Sequence, residues 1–252
     1  MVTKRESGFP VYLVYITTIL RNAQNNPECE AAKEVELQKL KDFDVYDEVI
    51  FQGQECVSTR WVLWHKGTEV RARLVARGFE EVAGIEKESP TVGKVSVCLF
   101  FAICGSKMLT VKTSDIKSEF LQGNPIDREI CIKPPKEAKV EIGKVWKLKR
   151  CLYGLNDAAR KFYDSVVMEL KNLGCLQSMS DPALFYYKKD GNLCGILVSH
   201  IDDFLHAGNN TFEEDIMQKL RCRFVAGKLM EKDFSYVGFQ VKQTDDGVII
   251  DQ

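Results

Sequence analysis

Leu197-Val198-Ser199-His200-Ile201-Asp202-Asp203-Phe204-Leu205 sets two adjacent acids between two apolar runs. Apolar, β-branched stretches on either side of a short polar break read as two strands joined by a tight turn, which puts the acids at a hairpin tip. Asp is common in turns because its side chain bonds the local backbone, so a lone Asp-Asp carries no chemistry by itself. A further acid changes this. Asp115 ends the strand-like run 108–114, in which Leu109, Val111 and Thr113 share its face. Asp115, Asp202 and Asp203 are therefore expected together at one sheet edge. Three such carboxylates repel one another unless a cation intervenes. Hard divalent ions prefer oxygen ligands, and two of them about 4 Å apart can clamp the attacking and leaving oxygens of phosphoryl transfer.

Outward from this core the pattern alternates. Residues 27–53 are polar, with Ala31, Val35, Leu37 and Leu40 at helical spacing and Phe43, Val45 and Tyr46 following as an extended piece. Residues 57–64 and 70–76 are β-rich and meet at Lys66-Gly67-Thr68, a hairpin whose second strand carries Arg71 and Arg73 on one face. The apolar run 95–104 is expected as a buried helix ended by Gly105, and 130–132 with 144–148 as a hairpin around Pro134 and Pro135. Asp157 precedes a helix showing Phe162, Val166, Leu170 and Leu173, with Gly174 at its end. Thr211 and Glu214 form a capping box before a helix showing Phe212, Ile216, Leu220 and Phe224. Strands at 184–187, 193–199, 204–207, 234–241 and 248–250 complete an α+β domain, an antiparallel sheet with helices packed on one face.

Composition bounds the partners. The 252 residues, 45% hydrophobic and 28% charged, suit one large or two small globular domains and exclude a disordered or collagen-like chain. Thirty-five Lys+Arg against 36 Asp+Glu leave a net charge of -1, so a polyanion must be held by local clusters. Nine cysteines without a C-x-x-C spacing point to a reduced intracellular compartment. His65, His200 and His206 form no Cys/His cluster suited to structural zinc. Lys4 and Arg5 precede an apolar run, 11–20, that is too short to span a bilayer and is followed by no small-x-small cleavage triplet. It reads as a signal, a buried strand or a remnant of an upstream segment.

The motifs taken in order resemble a known family. Asp115-Ile-Lys-Ser-Glu-Phe-Leu-Gln-Gly, Leu152-Tyr153-Gly154-Leu155 leading into Arg160-Lys161-Phe162-Tyr163, and His200-Ile-Asp-Asp are similar to the reverse transcriptase of copia-type (Pseudoviridae) retrotransposons, a domain of the Pol polyprotein. Trp61-Val62-Leu63 with Arg71-Ala72-Arg73-Leu74-Val75-Ala76-Arg77-Gly78-Phe79 resembles its fingers segment, and Ser89-Pro90-Thr91-Val92 its link to the palm. Asp181-Pro182-Ala183-Leu184-Phe185 and Tyr236-Val237-Gly238 extend the likeness over residues 30 to 252. Two departures stand out: His200 where the family most often has Tyr, and Asn156-Asp157-Ala158-Ala159 where Lys-Gln-Ala-Pro is usual.

The resemblance implies a right-hand polymerase with fingers at about 50–107, palm at about 108–252 and the thumb largely absent, preceded by an extension or polyprotein linker at 1–29. It implies RNA-directed DNA polymerase activity with two Mg²⁺ (or Mn²⁺) ions on Asp115, Asp202, Asp203 and the Ile116 backbone carbonyl. Arg71, Arg73 and the steric-gate position Phe120 would bind the deoxynucleoside triphosphate, and Tyr153, Gly154, Tyr236 and Gly238 the template and primer. Read from the residues alone, Phe120 also suits a core position, Arg71 and Arg73 a solvated edge strand, and Tyr153-Gly154 a helix-entry turn. Implied partners are an RNA or DNA template with primer, deoxynucleotides and other Pol domains such as integrase and ribonuclease H, with no membrane. The implied location is cytoplasmic, in or outside virus-like particles, with nuclear entry open to it. A catalytically silent, domesticated or decayed fragment that binds nucleic acid or protein is the alternative. A single-strand-binding sheet module is a third class, disfavoured because edge carboxylates repel phosphate.

Overall fold

The computed structural model describes residues 26–81, 84 and 87–251; the apolar run 11–20 and most of the 1–29 extension lie outside them. In chain order the elements are α1 (Pro27–Asp42), β1 (Tyr46–Ile50), β2 (Cys56–Val57), β3 (Thr59–Lys66), β4 (Glu69–Ala76), α2 (Lys94–Lys107), β5 (Val111–Ile116) and the single turn α3 (Glu119–Gln122). Then follow β6 (Cys131–Ile132), β7 (Lys144–Leu148), α4 (Ala158–Asn172), β8 (Leu176–Gln177), β9 (Leu184–Lys189), β10 (Asn192–His200) and β11 (Asp203–Gly208). A helical segment α5 (210–223), whose middle residues Glu213–Met217 are π-helical, leads into β12 (Ala226–Glu231), β13 (Asp233–Tyr236), β14 (Phe239–Thr244) and β15 (Gly247–Asp251). Among the described residues no helix is long and apolar enough to cross a membrane.

These elements form two compact units that interleave along the chain. One unit takes the residues up to Gly84 together with Pro125–Asn156. Its sheet has the order β1-β7-β6-β2, with β2 and β6 parallel, and β3 and β4 make a separate hairpin. α1 starts at Asn26, whose side chain accepts from Glu28 N–H at 3.0 Å, and Pro27 suits the first helical position. Its buried stripe is Cys29, Lys33, Glu36, Leu37 and Leu40, while Val35, expected on the inner face, points to solvent. The stripe is turned because Lys33 and Glu36 are buried with partners: Lys33 Nζ lies 2.7 Å from Glu30 and 2.9 Å from Glu137, and Glu36 lies 2.6 Å from Lys39. Hydrophobic spacing alone could not rank these charged residues as inward-facing.

The other unit holds residues up to Asn124 after the first unit's opening segment, and Asp157 onward. Its six-stranded sheet has the order β12-β5-β11-β10-β9-β8, every neighbouring pair antiparallel. Helices cover both faces, which corrects the expectation of one. On one face Val97, Phe100, Phe101 and Cys104 of α2 join Phe234, Tyr236, Phe239 and Val241 of the β13-β14-β15 meander against Val111, Val198, Leu205 and Ala207. On the other, Phe162, Val166 and Leu170 of α4 and Phe212, Ile216 and Leu220 of α5 pack on Ile116, Leu197 and Phe204. The near-continuous apolar reading of β10 follows from this double coverage: a strand buried on both sides loses the polar alternation of a half-exposed one.

α5 is capped by Asn209, whose side chain accepts from Phe212 N–H at 3.1 Å, not by the expected Thr211. The cap delivers Phe212 onto Gly195 and Gly208, which face each other across β10 and β11. A Cβ at Gly195 would lie 2.1 Å from Phe212 Cγ, and one at Gly208 2.4 Å from Cδ1. The two glycines are thus a slot for a ring that is itself 1% exposed. Gly208→Ala should lower unfolding free energy by about 1–3 kcal/mol, as overpacking of a filled core does; urea denaturation measures it, and an unchanged midpoint would mean that the ring moves aside freely.

Candidate functional site

The β10–β11 hairpin closes through a turn of Ile201 and Asp202, with His200 opposite Asp203. Ile201 has φ 57°, a left-handed conformation that a β-branched residue adopts only under strain from its surroundings. β11 then pairs with β5 so that Asp203 faces Asp115, and Ile116 N–H donates to the Asp202 carbonyl at 2.9 Å. Residues opposite each other in an antiparallel pair project to the same side about 4.5–5.5 Å apart at Cβ. His200, Asp203 and Asp115 therefore form a row across three strands, on the face of Val198, Leu205 and Val111, with Asp202 at the turn beside them.

The row lies at adjoining strand ends, and no strand of it is a lateral edge of the sheet. β12, which hydrophobic alternation did not reveal in Ala226-Gly227-Lys228-Leu229-Met230-Glu231, adds outside β5 and makes β5 an interior strand. Lys228 N–H donates to Asp115 Oδ1 at 2.8 Å. Gly227 and Lys228 are thus site residues that the sequence reading missed; the one signal for them was a glycine within a strand, which often marks a bulge or a close approach.

Burial, then the like charges of Asp202 and Asp115, push the Asp203 carboxyl up to about 6. Tyr236, 2% exposed, has its phenol raised by burial and then by Asp203, and its hydroxyl has no hydrogen-bond partner among the described residues. His200 Nδ1 is likewise buried without one. Among the described residues no three carboxylate, imidazole or thiol side chains stand close enough to hold a metal ion as they are. The donors nevertheless fit a hard dication in kind, because they are carboxylate oxygens and Asp203 is held up by burial and then by like charge, the second of which a cation would relieve.

Ser118, with φ 53°, turns the chain from β5 into α3, where Phe120 is half-buried against the cluster of Ile116 and Phe162. Phe120 thus has both a core contact and an exposed part. Gln122 is buried; its side chain donates to Lys117 O at 2.6 Å and accepts from Val225 N–H at 2.7 Å. Tyr236-Val237-Gly238 is a hairpin turn between β13 and β14, with φ 45° at Val237 and 83° at Gly238.

In the other unit Arg71 and Arg73 share the exposed face of β4, as their alternation indicated. Arg71 pairs with Glu69, and Arg73 lies over the rings of Trp64 at 5.2 Å and Tyr153 at 4.5 Å. Tyr153 is buried beneath that guanidinium. Gly154, φ 87°, presses on β4: a Cβ there would lie 2.2 Å from Ala76 O, and Ala76 N–H donates to Tyr153 O at 2.7 Å. Asn156, one of the departures from the family pattern, ties this loop down by donating from Nδ2 to Gly78 O and from N–H to Glu81 Oε1, both at 2.7 Å.

The family model for reverse transcriptase (RNA-dependent DNA polymerase) matches residues 43–252. The retrovirus-related Pol polyprotein from transposon TNT 1-94 of Nicotiana tabacum is 29% identical over 204 residues, covering 76% of this chain and 15% of its own length. That from transposon RE1 of Arabidopsis thaliana is 28% identical over 207 residues, covering 78% of this chain and 14% of its own. The chain thus spans about a seventh of the curated relatives it matches. Among solved structures, the foamy viral protease-reverse transcriptase in complex with dsDNA superposes with TM-score 0.51 at 14% identity, covering 88% of this chain and 42% of the other, a likeness of fold.

The Asp203 shift has a measurable sign. Between its ordinary 3.8 and about 6 the folded protein keeps a proton that the unfolded chain has released, so this contribution to stability falls as pH rises through that window. His206, fully buried and held down to about 3, acts oppositely below its ordinary 6.5. The difference in Tm between the parent chain and Asp203→Asn, measured in EDTA, should therefore decline from about pH 4 to above pH 6. Mg²⁺ at pH 7 should recover it. A difference that does not change with pH would mean that Asp203 ionises normally.

Proposed function

The chain belongs to the reverse transcriptase (RNA-dependent DNA polymerase) family, and from that premise we propose that Asp115, Asp202 and Asp203 are the catalytic centre of a retrotransposon polymerase that copies RNA into DNA. The observation that carries the proposal is the register of Asp203 against Asp115, which brings acids from distant parts of the chain onto adjoining strand ends. In it the unit built on the six-stranded sheet is the palm, and the β3–β4 hairpin belongs to the fingers.

Asp115, Asp202, Asp203 and the Ile116 carbonyl would hold two Mg²⁺ or Mn²⁺ ions. These ions, when bound, supply the positive charge that lets a primer 3′-hydroxyl attack the α-phosphate of a deoxynucleotide with loss of pyrophosphate. The protein's part is electrostatic: half-buried carboxylates in mutual repulsion bind a cation more strongly than solvated ones, and the Asp202 carbonyl bond to Ile116 keeps the turn from drifting off β5. Arg71 and Arg73 would contact the triphosphate, for which guanidinium donors suit phosphate oxygens. Tyr153, Gly154, Tyr236 and Gly238 would lie along template and primer, and Phe120 beneath the sugar. Integrase and ribonuclease H parts of a Pol polyprotein are the proposed partner domains, in cytoplasmic particles.

Primer extension on an RNA template with Mg²⁺ or Mn²⁺ tests the reading. Asp202→Asn and Asp115→Asn should each remove several kcal/mol of transition-state stabilisation, more than about 100-fold in rate. Incorporation that persists in both would assign the activity to a contaminant. If the parent chain fails even when fused to a family thumb, the silent-fragment alternative stands.

Phe120→Ala separates gate from core. A gate predicts a higher ratio of ribonucleotide to deoxynucleotide incorporation with the metal-dependent step largely intact. A core role predicts about 3–5 kcal/mol lost to a cavity with sugar preference unchanged, which would refute the gate.

A further inference from the structure

In the ladder between β5 and β12, Ala226 faces Ile116 and Leu229 faces Ser114, so Gly227 and Lys228 together oppose the single residue Asp115. An extra residue of this kind releases a backbone amide from the ladder and re-aims what lies opposite. Here the amide is that of Lys228, which donates to Asp115 Oδ1 at 2.8 Å. A Cβ at position 227 would lie 2.1 Å from that oxygen, 2.3 Å from Oδ2 and 2.4 Å from Cγ. Gly227 does not adopt a left-handed φ, so its backbone would accept another residue; it is the Asp115 carboxylate, as it stands, that fills the space a Cβ would take. The entry to the bulge is fixed as well. Gln122 bridges Lys117 O and Val225 N–H, and Lys117 N–H donates to Val225 O at 3.0 Å, so the segment after Asp115 and the segment before Gly227 are tied directly to each other.

We propose that the bulge at Gly227-Lys228 is a positioning element for Asp115: the Lys228 N–H holds one carboxylate oxygen and Gly227 leaves the space in which the other is offered to a divalent cation. The inference rests on the polymerase reading of Asp115. It assigns the role to the backbone at 228, not to the exposed lysine side chain. Groups that orient a metal ligand through a hydrogen bond are typically worth about 10–100-fold in metal affinity.

The full chain, titrated with Mn²⁺ and followed by electron paramagnetic resonance of the free ion, provides the test, with Asp115→Asn defining the binding that depends on this carboxylate. Lys228→Pro removes the amide hydrogen and Gly227→Ala displaces the carboxylate. Each should weaken Mn²⁺ about 10–100-fold, whereas Lys228→Ala, which keeps the N–H, should bind Mn²⁺ as the parent does. If Lys228→Pro fails to fold, judged by thermal melting, Gly227→Ala carries the test, because the atom it strikes is the end of a side chain. The Mg²⁺ concentration for half-maximal incorporation should rise in parallel. Parent-like Mn²⁺ binding in Gly227→Ala and in folded Lys228→Pro, with Asp115→Asn impaired, would overturn the positioning role and leave the polymerase reading standing. Parent-like binding in Asp115→Asn would overturn the metal reading of Asp115 and the inference with it.

Discussion

The pairing of β10, β11 and β5 in one register is the constraint on which the rest of the site depends. His200 faces Asp203 and Asp203 faces Asp115. Side chains in a strand alternate between faces, so a slip of one residue in either ladder would send one acid to the opposite side of the sheet. Like-charged groups facing each other oppose this register, and the Asp203 carboxyl is pushed up first by its burial and then by Asp202 and Asp115. The register must therefore be imposed from outside the acids.

Burial on both faces imposes it. Leu205 and Ala207 are committed to the core under α2 and the meander, and Phe204 to the core under α4 and α5. A slip in β11 would exchange these sets and bring Phe204 against a surface shaped for Ala and Leu. Phe212 adds a lock by filling the space that the paired Gly195 and Gly208 leave open. Each fully buried large apolar side chain contributes about 1.5–3 kcal/mol, so a few of them outweigh the repulsion among partly solvated carboxylates. In the proposed polymerase reading, charge repulsion kept in this way would favour a cation. The same logic explains why the Tyr236 hydroxyl has no partner among the described residues: it is a polar group carried into the core by a segment whose neighbours Phe234 and Phe239 anchor it there.

In the unit that carries Arg71 and Arg73, whose buried core includes Leu74, Ile132, Trp146 and Leu152, polar ties fix the loops. Asn156 joins Gly78 and Glu81, Glu81 pairs with Arg128 at 2.6 Å, and Gly154 lies on the β4 backbone. Asn156 thus gives one departure from the family pattern a local structural reason. Arg73, stacked over Trp64 and Tyr153, is pre-ordered by aromatic faces while keeping its charge, an economical way to hold a long side chain in one place.

By itself the sequence determined the α+β class, the hairpin with Asp202 and Asp203 at its turn, the strand leading to Asp115 and the helix faces at Phe162-Val166-Leu170 and Phe212-Ile216-Leu220, because short-range periodicity and turn chemistry are local properties. The order of its motifs identified the family. Only the tertiary structure decided that helices cover both faces of the sheet, that Lys33 and Glu36 turn inward in α1, and that Asn209 rather than Thr211 caps α5. It alone revealed β12, whose Gly227 and Lys228 rest on Asp115 across more than a hundred residues of chain. The physical reason is common to these cases. A charged helix residue, a cap and a glycine in an irregular polar strand are each defined by a distant partner, and no local pattern encodes a partner that folding alone brings near.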